Sequence, residues 1–201
     1  FKKYSQVYNS RRLTGADAAR RILDSNGLQH IRIERISGNL SDHFDPRSNV
    51  IRLSQAVYDG ATAAAVGVAA HECGHAVQHA TKYSALQVRS ALVPVVSFAS
   101  PWISWLLLGG ILTINVFPAL LGIGILLFAM TTIFSFVTLP VEIDASRRAL
   151  AWLNSARVTD YATHEHAEDA LKSAAYTYVV AALSSLATLI YYILIYTSRR
   201  D

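Results

Sequence analysis

Five consecutive residues near the middle of this 201-residue chain have types and a spacing that could bind a metal ion and activate water. They are His71-Glu72-Cys73-Gly74-His75, an HExxH motif, and alanine-rich segments on both sides favour a helix. Residues i and i+4 of a helix share one face, so the two imidazoles could hold Zn²⁺. Glu72 would then act as general base on the zinc-bound water during attack on a carbonyl. The alternative is two unrelated histidines on a buried helix.

A catalytic zinc ion needs a third protein ligand and one open position. Glu142 is the best candidate, because it is the first charged residue after an uncharged stretch of 52 residues, Ser90 to Val141. We expect it at a helix end where a membrane span leaves the bilayer, although an ordinary interfacial charge fits this position equally well. Asp144 could accept a hydrogen bond from a zinc-bound histidine. It could equally pair with Arg147 or Arg148.

Other titratable residues have weaker claims on the site. His79 follows His75 by four residues, but one helix cannot easily bring three such turns to one ion, so we expect it to support the site or to pack. His43 could donate to a substrate carbonyl or the developing oxyanion. A structural Asx turn is at least as good an account of the His43–Asp45 loop.

The remaining candidates are predicted to have structural roles. The lone cysteine, Cys73, should face away from the two motif histidines and pack. His164 and His166 suit a solvated helix face. Tyr176 and Tyr178 could lend a hydroxyl to the site, but tyrosines at the edge of a membrane span need no such role.

Long apolar stretches dominate the second half of the chain. Each membrane crossing needs about 20 apolar residues, so Ser90–Val141 predicts two crossings joined by a turn at Thr113–Pro118. A third crossing is predicted in the uncharged stretch Ser173–Ser198. Tryptophans and tyrosines in these stretches suit an interfacial belt; they are Trp102, Trp105, Tyr191, Tyr192 and Tyr196. The mean hydropathy of +0.29 agrees with an integral membrane protein.

Basic residues near the spans predict the orientation. Six of them flank the first two spans on one side, and they are Lys82, Arg89, Arg147, Arg148, Arg157 and Lys172. Only Arg199 and Arg200 follow the third span, so the positive-inside rule places the polar regions in the cytoplasm. The net charge of +4 includes no long basic run, which favours contacts with anionic lipid over nucleic acid.

The polar N-terminal region predicts a helix and two strands before the motif helix. Thr14 and Asp17 resemble a capping box that opens a helix, and Gly27 is its expected C′ residue. Ile31–Ile36 alternates as a half-buried strand does, and residues 37–46 are rich in turn formers. Asn49–Leu53 is a second strand, which we expect to be an exposed edge to which an extended substrate could add.

Three segments together resemble a known family. HECGHAVQHATKYSALQVRSALVPVV, SDHFDPRSNVIRLS and TLPVEIDASRRAL look like the bacterial YugP-type neutral zinc metallopeptidases, and the likeness covers nearly the whole chain. The resemblance implies His71 and His75 as zinc ligands, Glu72 as base, and Glu142 as third ligand, as in the larger cytoplasm-facing membrane gluzincins. Family members usually carry a further transmembrane helix upstream, so we expect one before Phe1.

These inferences combine into a mainly α membrane helical bundle with a small cytoplasmic α+β, gluzincin-like zinc-peptidase portion. Residues 1–89 would hold the strand pair and the motif helix, 90–141 two membrane helices, 142–172 a cytoplasmic segment with the third ligand, and 173–198 the last membrane helix. The expected activity is zinc-dependent endopeptidase cleavage of protein or peptide substrates at the surface of the cell (inner) membrane. The alternative is a zinc-binding, non-hydrolytic membrane scaffold or adaptor.

Overall fold

The computed structural model describes residues 7–9, 11–39, 41–156, 158–159 and 161–198, with only the backbone described at 161 and 162. Its described residues form a mainly helical chain with one small sheet. The elements are α1 Gly15–Ser25, β1 Arg32–Ile36, β2 His43–Asp45, β3 Val50–Ser54, α2 Gln55–Tyr58, α3 Ala63–Ala80, α4 Ser84–Leu112, α5 Pro118–Ser155 and α6 Tyr161–Thr197. Arg157, Arg199 and Arg200, which entered the orientation argument, lie outside the described residues.

The chain divides into two compact units. The first comprises Phe1–Tyr83 and Val141–Tyr176, and the second comprises Ser84–Pro140 and Thr177–Asp201. All three strands and the HExxH helix, α3, belong to the first unit. Glu142 belongs to it as well, so the candidate ligands can be described within one unit.

The first helix begins and ends where its capping residues predict. The Thr14 hydroxyl accepts from the backbone N–H of Asp17, and the Asp17 carboxylate accepts from the backbone N–H of Thr14, both at 3.1 Å. Aspartate thus replaces the usual glutamate of a capping box. Gly27 has φ +73°, the left-handed conformation of a C′ glycine. The buried face of α1 contributes Ala18, Ala19 and Leu23 to the core of the first unit.

The sheet corrects two predictions from the sequence. Its order is β1–β3–β2, with β3 parallel to β1 and antiparallel to β2. The expected exposed edge at Asn49–Leu53 is therefore wrong: β3 is the central strand, and Val50, Ile51 and Leu53 are completely buried. Both backbone edges of β3 are paired, so no substrate strand can add there.

The second correction is β2, which lies in the segment read only as turn. The reason is that β2 is held by pairing and side-chain contacts rather than by apolar alternation. The Asp42 carboxylate accepts from the backbone N–H of Ser54 at 2.7 Å. The Asp45 carboxylate pairs with Arg52 at 2.9 Å, and these contacts attach the short strand to β3.

Three helices are long and apolar enough to cross a membrane, namely Ser84–Leu112, Pro118–Ser155 and Thr163–Thr197. The first ends at Leu112 and the next begins at Pro118, which confirms the predicted turn. Many large apolar side chains of the second unit are exposed, including Trp102 and Trp105 at 58% and 72%. Exposed apolar side chains on long apolar helices are typical of lipid-facing surfaces. An interfacial position for the aromatic residues stays a prediction.

Helix α5 differs from expectation in its length. It continues through Pro140 to Ser155, so Glu142 lies inside a long helix and not at a helix end. The helix continues beyond its apolar part because four residues of the following segment are buried, namely Val141, Ala145, Ala149 and Leu153. Ala149 and Leu153 belong to the core of the first unit. Their spacing of four residues forms one buried stripe, and Glu142 lies one residue after its first member.

Candidate metal centre

The helix that carries the HExxH motif is capped and densely packed. Thr62 precedes α3, and its hydroxyl accepts from the backbone N–H of Ala65 at 3.3 Å. Alanines, the strongest helix formers, make up much of its buried surface. This rigid environment fixes the backbone on which His71 and His75 stand.

Both motif histidines project towards one carboxylate. Their ring centroids lie 4.7 Å apart with the planes nearly perpendicular. Nε2 of His71 is 3.2 Å from Oε2 of Glu142, and Nε2 of His75 is 3.6 Å from the same oxygen. The Glu142 side chain is only 6% exposed. Two imidazole nitrogens and one carboxylate oxygen thus converge, although Glu142 is 71 residues from His71 in sequence.

These three groups fit a zinc ion. One possible ligand atom from each lies within 4.8 Å of the others. Ligands about 2.0–2.1 Å from a tetrahedral ion are about 3.3 Å from each other. The two nitrogen–oxygen distances of 3.2 and 3.6 Å lie on either side of that value. The donor set of two histidines and one glutamate is also one that catalytic zinc sites use.

A glycine inside the motif allows Glu142 to come this close. A Cβ added at Gly74 would lie 2.7 Å from the backbone oxygen and 3.0 Å from the Cα of Ala145. Helices α3 and α5 therefore touch backbone to backbone at this point. Ala145 is one helical turn from Glu142, so the contact determines how far the carboxylate stands from the histidines.

Two residues that sequence reasoning missed contact the other nitrogens of the histidines. Nδ1 of His71 lies 3.0 Å from the Ser146 hydroxyl, and Nδ1 of His75 lies 3.0 Å from Oε1 of Gln78. Such contacts orient a metal-binding imidazole and direct its Nε2. The available signal was spacing, since Ser146 follows Glu142 by four residues and Gln78 follows His75 by three.

Asp144 contacts the site through Gln78. Its carboxylate accepts from Nε2 of Gln78 at 2.9 Å and pairs with Nε of Arg148 at 2.6 Å. The contact with Arg148 agrees with the ion pair that the sequence allowed. The direct hydrogen bond to a histidine, the other possibility, does not occur among the described contacts, because the Gln78 amide lies between Asp144 and His75.

Glu72 is held by the sheet. It is 8% exposed, and its Oε2 accepts from the backbone N–H of Phe44 in β2 at 3.0 Å. The other edge of β2 is paired with β3, so the strand links the sheet to the candidate base. The structure thus gives a fixed anchor to one oxygen of this carboxylate.

Electrostatics differ on the two sides of α3. Burial is the largest single effect on His75 and disfavours its charge, but hydrogen bonds to Glu142 and Gln78 and the negative charges of Glu72 and Glu142 together outweigh it and raise the pKa of this imidazole. On the opposite side, complete burial raises the pKa of the Cys73 thiol, whose Sγ is 3.6 Å from the Ala19 carbonyl oxygen. Cys73 is therefore a packing residue, as its position on the helix predicts.

The weaker candidates do not join the histidine–glutamate cluster. His43 is exposed, and its Nδ1 lies 2.7 Å from the Ser41 carbonyl oxygen. His79 is exposed, with its ring 5.8 Å from that of Phe44. Asp45 has a structural role, because hydrogen bonds from Ser48 and Arg52 lower the pKa of its carboxyl. A contact of His43 with substrate stays a prediction.

The histidines of α6 are not part of the histidine–glutamate cluster either. Nδ1 of His164 lies 3.1 Å from the Thr159 hydroxyl, and His166 is half-buried, so neither stands on a fully solvated face. Tyr176 and Tyr178 are exposed by 66% and 39%. A role for their hydroxyls at the site stays a prediction.

The three candidate ligands are those of a zinc metallopeptidase, and sequence comparison identifies a family with that description. Residues 1–197 match the family described as "Putative neutral zinc metallopeptidase", and the chain belongs to this family. The family implies zinc as the cofactor, and the His71, His75 and Glu142 group could bind it. The chain is 44% identical over 203 residues to "Putative membrane protease YugP" of Bacillus subtilis (strain 168), covering 100% of this chain and 88% of that protein. No solved structure matches the chain.

The likeness to a membrane protease and the three long apolar helices together suggest a membrane protein. Family membership likewise confirms the resemblance inferred from the three sequence segments. Both findings agree with the coarse prediction of a helical zinc-peptidase relative.

Proposed function

We propose that this protein is a membrane-embedded zinc endopeptidase, with His71, His75 and Glu142 as metal ligands and Glu72 as general base. The convergence of both Nε2 atoms on the buried Glu142 carboxylate supports this assignment most directly. A glutamate directly after the first histidine is the second support, because a site that only binds metal has no use for that acid.

The chain's own groups divide the chemistry between them. Zinc, when bound, polarises the scissile carbonyl and makes water more acidic. Glu72 accepts a proton from the attacking water and then delivers it to the leaving amine. The backbone N–H of Phe44 holds Oε2 of Glu72, and Oε1, which has no hydrogen bond among the described residues, would carry the proton. The nearly buried position of the site restricts bulk water.

The membrane arrangement is part of the proposal. Ser84–Leu112, Pro118–Ser155 and Thr163–Thr197 would each cross the inner membrane, which makes the protein multi-pass. The six-to-two distribution of basic residues supports a site that faces the cytoplasm. Its partners would be the lipid bilayer and a protein or peptide substrate at the membrane surface, with no role for nucleic acid.

A non-hydrolytic zinc-binding scaffold is the competing function. It is not favoured, because the family and the relative are both described as peptidases. It would also give no chemical role to the buried carboxylate of Glu72 next to the proposed ligands.

Replacement of Glu72 separates the two functions. Glu72→Gln preserves the shape of the side chain and removes the base, and Glu72 is not among the proposed ligands. The variant should retain one zinc per chain and lose hydrolysis by about a hundredfold or more, the usual scale of acid–base catalysis. Zinc content and cleavage of unfolded protein substrates should be measured on purified wild type and variant in the same detergent.

Cys73→Ala is a matched control, because it alters the neighbouring residue on the opposite side of α3. It should retain both zinc and activity. Full activity of Glu72→Gln would refute the mechanism. A zinc-loaded wild type that cleaves none of a broad panel of membrane and soluble proteins would favour the scaffold.

A further inference from the structure

We propose that Gln78 is a positioning residue that directs Nε2 of His75 towards the metal and fixes the Glu142 segment beside it. The inference rests on the proposed zinc site. Gln78 is completely buried in the described structure, and its amide contacts three different groups. They are Nδ1 of His75 at 3.0 Å, the Val141 carbonyl oxygen at 2.8 Å and the Asp144 carboxylate at 2.9 Å.

The partners of Gln78 determine which way its amide points. The Val141 carbonyl oxygen can only accept a hydrogen bond, and the Asp144 oxygen that faces Gln78 also accepts from Arg148, so the NH₂ group is the side of the amide that faces both. Oε1 is then the atom that faces His75. The same Asp144 carboxylate also pairs with Nε of Arg148 at 2.6 Å.

This orientation of the Gln78 amide selects the tautomer of His75 that could bind a metal ion through Nε2. An amide oxygen carries no hydrogen, so the hydrogen between Gln78 and His75 must be on Nδ1. A neutral imidazole has only one N–H, and its Nε2 therefore offers a lone pair on the side of Glu142. The hydroxyl that contacts His71 imposes no such choice, because Ser146 can either donate or accept.

The same amide links the two elements that supply the ligands. Gln78 is on α3, one turn beyond His75, and Val141 immediately precedes Glu142 on α5. The NH₂ group of Gln78 donates a hydrogen bond to the α5 backbone at Val141, while the amide oxygen of the same side chain accepts one from His75 on α3. One buried side chain thus fixes the tautomer of His75 and adds a hydrogen bond that holds the backbone next to Glu142.

Variants of the full chain that remove the Gln78 amide, or exchange donor and acceptor between Gln78 and Asp144, test whether Gln78 positions the ligands. Gln78→Leu removes the amide at similar volume, and zinc affinity should fall about 10–100-fold, the usual cost of losing a contact to a metal ligand. Gln78→Glu keeps an acceptor for His75 but places a carboxylate oxygen against both the Asp144 carboxylate and the Val141 carbonyl oxygen. Its zinc affinity should also fall.

Gln78→Glu combined with Asp144→Asn restores a donor–acceptor pair at that contact. The combination should recover at least about tenfold in zinc affinity over Gln78→Glu alone. Affinity is measured by competition with a chromophoric chelator, and circular dichroism identifies the variants that fold. Cys73→Ala, a buried change on the other side of α3, should bind zinc as wild type does.

The outcomes separate this inference from the proposed function. Wild-type affinity in Gln78→Leu or in Gln78→Glu would show that Gln78 only fills space. If Gln78→Leu fails to fold, the zinc affinity of Gln78→Glu relative to the wild type decides the question. A wild type that binds no zinc would instead overturn the proposed zinc site itself.

Discussion

Gly74→Ala should separate α3 from α5 and weaken zinc binding without removing any ligand. The added Cβ would lie 2.7 Å from the Ala145 backbone oxygen, whereas ordinary contact begins at 3.4 Å. The two backbones must therefore move apart by roughly 0.7 Å. Metal–ligand distances tolerate about ±0.2 Å, so a shift of this size next to Glu142 should lower zinc affinity at least tenfold, or about 1.4 kcal/mol.

Gly67→Ala is the control in the same helix. Its added Cβ would lie 3.8 Å from the Cβ of Ala167, which is ordinary van der Waals contact. Alanine is favoured over glycine inside a helix by about 1 kcal/mol, so Gly67→Ala should be neutral or stabilising. Overpacking at Gly74 costs about 1–3 kcal/mol, which offsets or exceeds the same gain.

Two measurements check the Gly74 prediction. Zinc affinity by chelator competition should fall in Gly74→Ala and stay at the wild-type value in Gly67→Ala. Thermal unfolding in detergent should give a higher midpoint for Gly67→Ala than for Gly74→Ala. Wild-type zinc affinity in Gly74→Ala would refute the view that backbone contact between α3 and α5 sets the position of Glu142.

The remaining predictions concern the third ligand and the topology. Glu142→Ala should bind zinc much more weakly and lose activity. Asp144→Asn should keep its metal and much of its activity, because an asparagine oxygen can still accept the hydrogen bond from Gln78. Metal titration with the reverse result would exclude Glu142 as a ligand. Single cysteines placed at the exposed positions Ser84 and Ser155, in a Cys73→Ala background, should both react with an impermeant thiol reagent only from the cytoplasmic side. Labelling of the two positions from opposite sides would contradict the proposed orientation.

The sequence could predict those parts of the fold that depend on neighbouring residues. The α1 caps, the turn before Pro118 and the three apolar helices follow from local propensity and hydropathy. The order of the strands could not be predicted from the sequence, because β3 is central only through its pairing with β2, a three-residue strand that has no apolar pattern of its own. The substrate edge proposed for Asn49–Leu53 failed for this reason.

The sequence by itself determined the chemistry of the candidate site, and the tertiary structure decided how its parts meet. His71 and His75 share a face because the helical repeat is local, and Glu72 follows from the same five residues. Glu142, Ser146 and Gln78 meet across the α3–α5 contact, where partners lie 63 to 75 residues apart in sequence. Their roles depend on close packing at Gly74 and on buried hydrogen bonds, which no local pattern specifies.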